Sequence, residues 1–202
     1  GRDVFTTGII SRETQALCLH VLSRYKEQLS GWGIVPSNTT VIATSAFREA
    51  KNKDPVMDKI LSSTGFRVTV IDGIEENRLM YMAVTDILKK EDVKFGSEDT
   101  VILEVGGGST EMMLMKKGRM VGAHSLRLGT VRLESKMKSS AEPLTDVRSY
   151  IEEYTAETKG SIESEIDFSE VQRFIAVGSD ATLVAINAGK PISTFLWSID
   201  RA

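Results

Sequence analysis

The stretch Thr100-Val101-Ile102-Leu103-Glu104-Val105-Gly106-Gly107-Gly108-Ser109-Thr110-Glu111-Met112-Met113-Leu114-Met115 decides how the chain folds. Its first part, Thr100 to Val105, is an apolar run broken only by Glu104 and reads as a buried strand. A second apolar run, Met112 to Met115, follows the glycines at once and turns at Lys116-Lys117-Gly118 into a third, Met120 to His124. The predicted order is strand, glycine loop, strand, turn, strand.

Three successive residues without Cβ, Gly106, Gly107 and Gly108, let backbone N–H groups converge on a phosphate, because no side chain blocks approach and positive φ carries no penalty. Ser109 and Thr110 complete the loop. A plain hairpin turn could use the same residues, but the flanking Glu104 and Glu111 favour the phosphate reading. A solvated turn has no need of a carboxylate at the end of an apolar strand, whereas a magnesium-phosphate site does, since Mg²⁺ takes oxygen ligands. Two common phosphate motifs are excluded by spacing. The P-loop requires a Lys after its last glycine, and none occurs here before the next strand. The dinucleotide fingerprint requires a glycine where Glu111 stands and a helix where Met112 to Met115 form a strand.

Upstream, β and α patterns alternate. Leu17, Val21, Tyr25 and Leu29 recur every fourth residue, which predicts an amphipathic helix from about Ser11 to Leu29 that stops at Gly31 and Gly33. Thr39 to Ala43 is a β-branched strand, and Thr44-Ser45 can cap a helix through Lys51. A helix around Pro55 to Ser63, a strand from Phe66 to Ile71 and a long helix from Glu75 to Lys90 follow. The charged segment Lys90 to Asp99 marks a domain boundary, with domains at 1–97 and 98–202. Further on, the pattern predicts a helix from about Thr145 to Thr158, a strand at Arg173 to Val177, a loop Gly178-Ser179-Asp180 and a helix from Thr182 to Asn187.

Composition narrows the chemistry. The chain has 202 residues, 41% of them hydrophobic and 26% charged, and a net charge of -3. That is globular composition, and its charge argues against a general nucleic-acid binder. No apolar run approaches the roughly 18 residues of a membrane span, and no signal-peptide pattern is present, so a cytoplasmic location and no membrane partner are expected. One cysteine, Cys18, and two histidines, His20 and His124, leave oxygen ligands to hold any metal. Cys18 and His20 read as helix packing, and His124 as a hydrogen-bonded histidine.

Glu75 and Glu76 open the long helix, where carboxylates are favoured by the macrodipole. One of them facing a cleft could take a proton from an attacking water. Arg48 is placed in the first turns of its helix, an unfavourable end for a cation unless an anion is near, and its planar fork suits phosphate oxygens. Lys51, Arg127 and Arg132 could add to a positive cleft.

Four blocks resemble the exopolyphosphatase and guanosine pentaphosphate phosphatase family: ATSAFREAKN (Ala43 to Asn52), VTVIDGIEENRLMYMAV (Val68 to Val84), VILEVGGGSTEMMLM (Val101 to Met115) and SLRLGTVRL (Ser125 to Leu133). The resemblance implies an α/β, two-lobed actin-like ATPase architecture of ribonuclease H-like type with mixed sheets, the first lobe incomplete because the family's first phosphate loop lies upstream of the segment that resembles Gly1 to Ser11. It implies Mg²⁺-dependent release of the terminal phosphate of polyphosphate or guanosine pentaphosphate. Glu76 matches the water-activating base, Glu111 a second catalytic acidic residue, Arg48 a phosphate-contacting arginine and Gly106 to Thr110 the phosphate loop. Mg²⁺ is expected at Glu104 and Glu111. Two departures stand out: the family's Asp is Glu104 here, and the second phosphate loop carries Asp180, which would repel a phosphate unless a cation intervened. A non-hydrolytic sensor of a phosphorylated signal is the alternative reading, a kinase of the same superfold is a third, and a homodimer is left open.

Overall fold

The computed structural model describes residues 1–93, 96–139, 147–163, 168–191 and 197–198. In chain order the elements are α1 (Arg2–Thr7), α2 (Arg12–Gly31), a 3-10 turn at Pro36–Asn38, β1 (Val41–Ala43), α3 (Ser45–Glu49), α4 (Lys53–Thr64), β2 (Val68–Val70), α5 (Gly73–Lys90), β3 (Thr100–Val105), β4 (Thr110–Lys116), β5 (Arg119–Leu126), α6 (Thr130–Ser139), α7 (Val147–Glu163), β6 (Arg173–Val177), α8 (Ser179–Ala188), and the short pair β7 (Lys190–Pro191) and β8 (Trp197–Ser198). They form two compact units, Gly1–Asp72 with Val131–Ser139, and Gly73–Thr130 with Ser140–Ala202. Among the described residues no helix is long and apolar enough to cross a membrane.

In the first unit, β1 and β2 pair in parallel from Val41↔Val68 to Ala43↔Val70. Val4, Ile10, Ala50, Val56, Ile60 and Phe66 form the core. The Ser11 side chain caps α2 by accepting from Thr14 N at 3.1 Å, and Gly65 ends α4 in the left-handed conformation at φ 81° with its N–H on Leu61 O. The Thr44 cap expected at α3 is absent: Thr44 has φ −120° and ψ −140° and makes no side-chain capping bond.

The apolar stripe read along α2 is not its core face. Leu17, Val21 and Tyr25 are 64%, 41% and 55% exposed, while Cys18, Leu19, Leu22 and Leu29 pack on the core. A strict four-residue period drifts by about 40° per step around a helix of 3.6 residues per turn, so of the expected stripe only Leu29 reaches the core. Cys18 packs as expected, but His20 is exposed.

In the second unit, the sheet order is β5-β4-β3-β6, antiparallel except for the parallel pair β3 and β6. Side chains alternate across it. Ile102, Met113 and Met115 meet Met80, Val84 and Leu88 of α5 on one face, and Val101, Met112 and Leu114 meet Ile162 of α7 on the other. The run Met112 to Met115 is therefore core strand on both faces. Because α5 is glued to this sheet, the compact units divide at Asp72/Gly73, and the boundary read at 97/98 falls inside the second unit. α1 and α6 carry no expectation from the sequence. The first two residues of the helix expected from Thr145 lie outside the described residues.

Candidate active site

One row of side chains crosses the sheet where β3 ends. Ser125 of β5, Glu111 of β4, Glu104 of β3 and Val177 of β6 are successive register partners. Opposed residues share a face, and this row lies on the α5 face, since the partners two residues back, Met113, Ile102 and Ile175, belong to the core that α5 covers. The strand-loop-strand pattern thus sets Glu104 and Glu111 side by side across the hairpin.

Helix α5 adds the next groups. Its buried side is Asn77, Met80, Val84 and Leu88, a spacing of three and four that forms one stripe. Asn77 is the polar end of that stripe and meets the row. Its Nδ2 donates to Glu111 Oε2 at 3.1 Å and to Gly73 O at 2.9 Å, and Ser125 Oγ donates to Glu111 Oε1 at 2.8 Å. Glu111 is only 3% exposed. The close docking depends on Gly73: a Cβ there would stand 2.4 Å from Ser125 Cβ and 3.5 Å from Glu111 Oε2.

Glu76 precedes Asn77, and its charge acts on Glu104. Half-burial pushes the Glu104 carboxyl above its ordinary range, and the Glu76 charge raises it further. The Glu75-Glu76 pair therefore divides. Glu75 holds Arg78 on the surface through two 2.7 Å hydrogen bonds, which lower its pKa, while Glu76 is coupled to Glu104.

The glycine loop is braced rather than floppy. Gly106 N donates to Ser109 O at 2.9 Å, Thr130 N donates to Gly106 O at 3.0 Å, and Thr110 Oγ1 donates to Leu128 O at 2.6 Å. Gly106 thus spends its N–H inside the turn. The left-handed glycines of this unit are Gly96, Gly118 and Gly178, not the loop glycines, and a Cβ added at Gly106 would stand 3.1 Å from Ser109 O. Gly129 approaches the loop closely: an added Cβ there would lie 2.6 Å from the carbonyl carbon and oxygen of Gly107 and the carbonyl carbon of Gly108. Gly178, at φ 110°, passes beside Val105 O and Glu104 Cγ, so the second loop flanks the first at the carboxyl ends of the parallel strands β3 and β6, a usual ligand position in α/β sheets. Asp180 occupies the first turn of α8.

The structure brings Glu76, Glu104, Glu111 and the loop Gly106 to Thr110 into one unit. Arg48 belongs to the other unit, where its Nη1 donates to Ile71 O at 2.7 Å. It stands in the last turn of α3, where the dipole favours a cation, so its helix position gives no reason to expect an anion. His124 partners Met112 on the face opposite Glu111. Asn77, Ser125, Gly73 and Gly129 escaped the sequence reading. Asn77 alone left a signal, as a polar residue in the buried register of an amphipathic helix.

Among the described residues no group of three or more His, Cys, Asp or Glu is arranged to hold a metal ion. Mg²⁺ needs only one or two carboxylates beside water and phosphate oxygens. The like charges of Glu76 and Glu104 fit that requirement, because a cation would relieve the repulsion that raises Glu104. Glu111 fits it less well than Glu104, since each of its oxygens already accepts a side-chain hydrogen bond.

The Ppx/GppA phosphatase family model matches residues 1–188. The chain belongs to that family. A bifunctional 3-dehydroquinate synthase/phosphatase of Fusobacterium nucleatum is 30% identical over 139 residues, covering 67% of the chain and 20% of the relative. Exopolyphosphatase 1 of Mycobacterium leprae is 36% identical over 91 residues, 45% of the chain and 25% of the relative. An exopolyphosphatase structure from Cytophaga hutchinsonii superposes with a TM-score of 0.75 at 25% identity, over 91% of the chain and 57% of that structure. The expected α/β, actin-like architecture with mixed sheets holds for this Ppx/GppA chain. The chain spans about a fifth to a quarter of the curated relatives it matches.

Proposed function

We propose that this chain carries the phosphate-gripping and water-activating parts of a phosphoanhydride hydrolase that releases the terminal phosphate of polyphosphate or guanosine pentaphosphate. The observation that carries the reading is the register that sets Glu104 opposite Glu111 at the end of a braced glycine loop, with Glu111 held by Asn77 and the Glu76 charge acting on Glu104. Among the relatives, one from Mycobacterium leprae is named an exopolyphosphatase and one from Photobacterium profundum, 30% identical over 122 residues, a guanosine-5'-triphosphate,3'-diphosphate pyrophosphatase.

In this mechanism, loop amides hold the terminal phosphate and aim its phosphorus at a water beside Glu76. The Glu76 carboxylate takes the water's proton as the oxygen attacks in line, and the phosphoanhydride bond breaks away from it. Glu104 would hold Mg²⁺ together with Glu76's field, and the ion would supply neutralisation of charge on the phosphates. Glu111 orients the loop end of β4. Phosphoryl transfer demands little covalent work from protein, so positioning and electrostatics carry most of the acceleration.

The test is phosphate release from polyphosphate and from guanosine pentaphosphate, with Mg²⁺ and with a chelator. Release from one of them that stops on chelation upholds the reading. A second reading, a non-hydrolytic sensor, is favoured by Asp180, which fills the first turn of α8 with a negative charge where a phosphate would otherwise be welcomed. Binding of either ligand without release would establish it.

A further inference from the structure

We propose that Asn77 is a positioning residue: it grips Glu111 from α5 and, with Ser125, locks that carboxylate into the single orientation in which it serves the phosphate loop. The kinetic part of this proposal rests on the hydrolase reading, and the grip itself does not.

Three observations carry it. First, Asn77 is 2% exposed and sits where the helix stripe calls for an apolar side chain. Second, both of its N–H groups are engaged, one on Gly73 O and the other across the interface on Glu111 Oε2. A bond to the carbonyl four residues back is common for a helical Asn, but the bond to another element is not local chemistry. The two acceptors also settle the amide's orientation, because a flip would face Oδ1 with a carbonyl and a carboxylate. Third, this arrangement leaves Asn77 Oδ1 buried with no donor among the described residues. A buried acceptor without a donor is destabilising. The residue is therefore a poor choice for stability alone, and its gain lies in what it holds.

What it holds is one end of a two-point clamp. Ser125 donates to Oε1 from β5 and Asn77 to Oε2 from α5, so the Glu111 carboxylate cannot rotate without breaking a bond. Glu111 stands directly opposite Glu104 and follows Thr110 at the loop's exit. Rotation would swing its charge relative to Glu104 and loosen the start of β4. Positioning to within a fraction of an ångström governs rate in such sites.

The test is a double-mutant cycle of Asn77→Leu and Glu111→Gln in the purified protein, read by steady-state phosphate release and by thermal unfolding. Leu keeps the branched heavy-atom outline of Asn, with greater bulk, while removing both donors and the unpaired acceptor. Asn77→Leu is expected to lower kcat about tenfold with KM within about twofold and with no fall in melting temperature, the lost bonds being offset by removal of the unpaired acceptor. In the Glu111→Gln background the same change alters kcat less than about twofold, because its target is already disabled. An equal loss of kcat in both backgrounds, or a loss that only accompanies a lower melting temperature, overturns the proposal. If neither substrate is hydrolysed by the unsubstituted protein, the hydrolase reading fails and the grip is judged by melting temperature alone. Non-additive shifts then uphold the grip, and additive shifts overturn it.

Discussion

Gly129→Ala offers a sharp test of the braced loop. The new Cβ would sit 2.6 Å from the carbonyl carbon of Gly107, its oxygen and the carbonyl carbon of Gly108. Carbon atoms prefer about 3.5–4.0 Å, so the shortfall is roughly 1 Å. The opposing atoms are all backbone, and no rotamer can relieve them. Gly129 is not in the left-handed region, so the penalty arises from contact and not from φ. Either Gly129 withdraws or the glycine loop moves by about the same distance. Overpacking of this kind costs about 1–3 kcal/mol, and a displacement near 1 Å can cost on the order of 100-fold in rate. Urea denaturation and phosphate release, measured side by side, read both effects. Gly160→Ala is the control: it lies in α7 with nothing within 4 Å of an added Cβ and should stabilise by about 0.5–1 kcal/mol. If Gly129→Ala leaves stability and release unchanged, the loop is not braced by the 129 backbone and the reasoning fails.

Glu104→Gln should raise the melting temperature near pH 7 more than near pH 4. The folded carboxyl titrates above its unfolded value, so its stabilising protonated form is present below the unfolded pKa and lost as pH rises through the folded one. A gain that is equal at both values contradicts the assigned burial and the Glu76 coupling. Added Mg²⁺ should raise the melting temperature of the unsubstituted protein and raise that of Glu104→Gln less, as read by the same scans with and without a chelator. In the first unit, Arg132 is buried, pairs with Glu49 and lies 4.3 Å from the centre of the Phe5 ring. Arg132→Ala should destabilise that unit by about 1.5–3 kcal/mol, because it removes a charge-assisted hydrogen bond and the ring contact, and hydrogen exchange confined to its helices would report it.

The readable parts of the molecule were those in which local pattern and tertiary role coincide. The apolar runs flanking the glycines read as strands, but that Glu104 and Glu111 share a face follows from the register across the loop, Val105 opposite Thr110, which alternation by itself does not fix. Helix α5 announced itself by period and by its terminal charges. Helix α2 shows the limit: a four-residue period drifts around the helix, so the expected stripe starts exposed at Leu17 and reaches the core at Leu29, and packing distinguishes Leu22 from Val21. Helix α6 escaped because its pattern, Thr130 to Ser139, is short and rich in charge, and what anchors it is the Arg132–Glu49 pair, whose members are 83 residues apart in sequence. Gly73 and Gly129 could not be singled out for the same reason. Each is a glycine because of a neighbour distant in sequence, Ser125 in one case and the loop backbone in the other. The glycines of the loop itself were legible, although they do not adopt positive φ.

The most direct measurement of the central claim compares Glu76→Gln with the unsubstituted protein, reading phosphate release in one assay and polyphosphate binding by calorimetry in another. Glu76 stands on α5 and not in the loop, and its charge acts on Glu104, so loss of its carboxylate should cut release by at least about 100-fold while the dissociation constant stays within about threefold. Release that survives the substitution would contradict the account, and so would binding that disappears together with release.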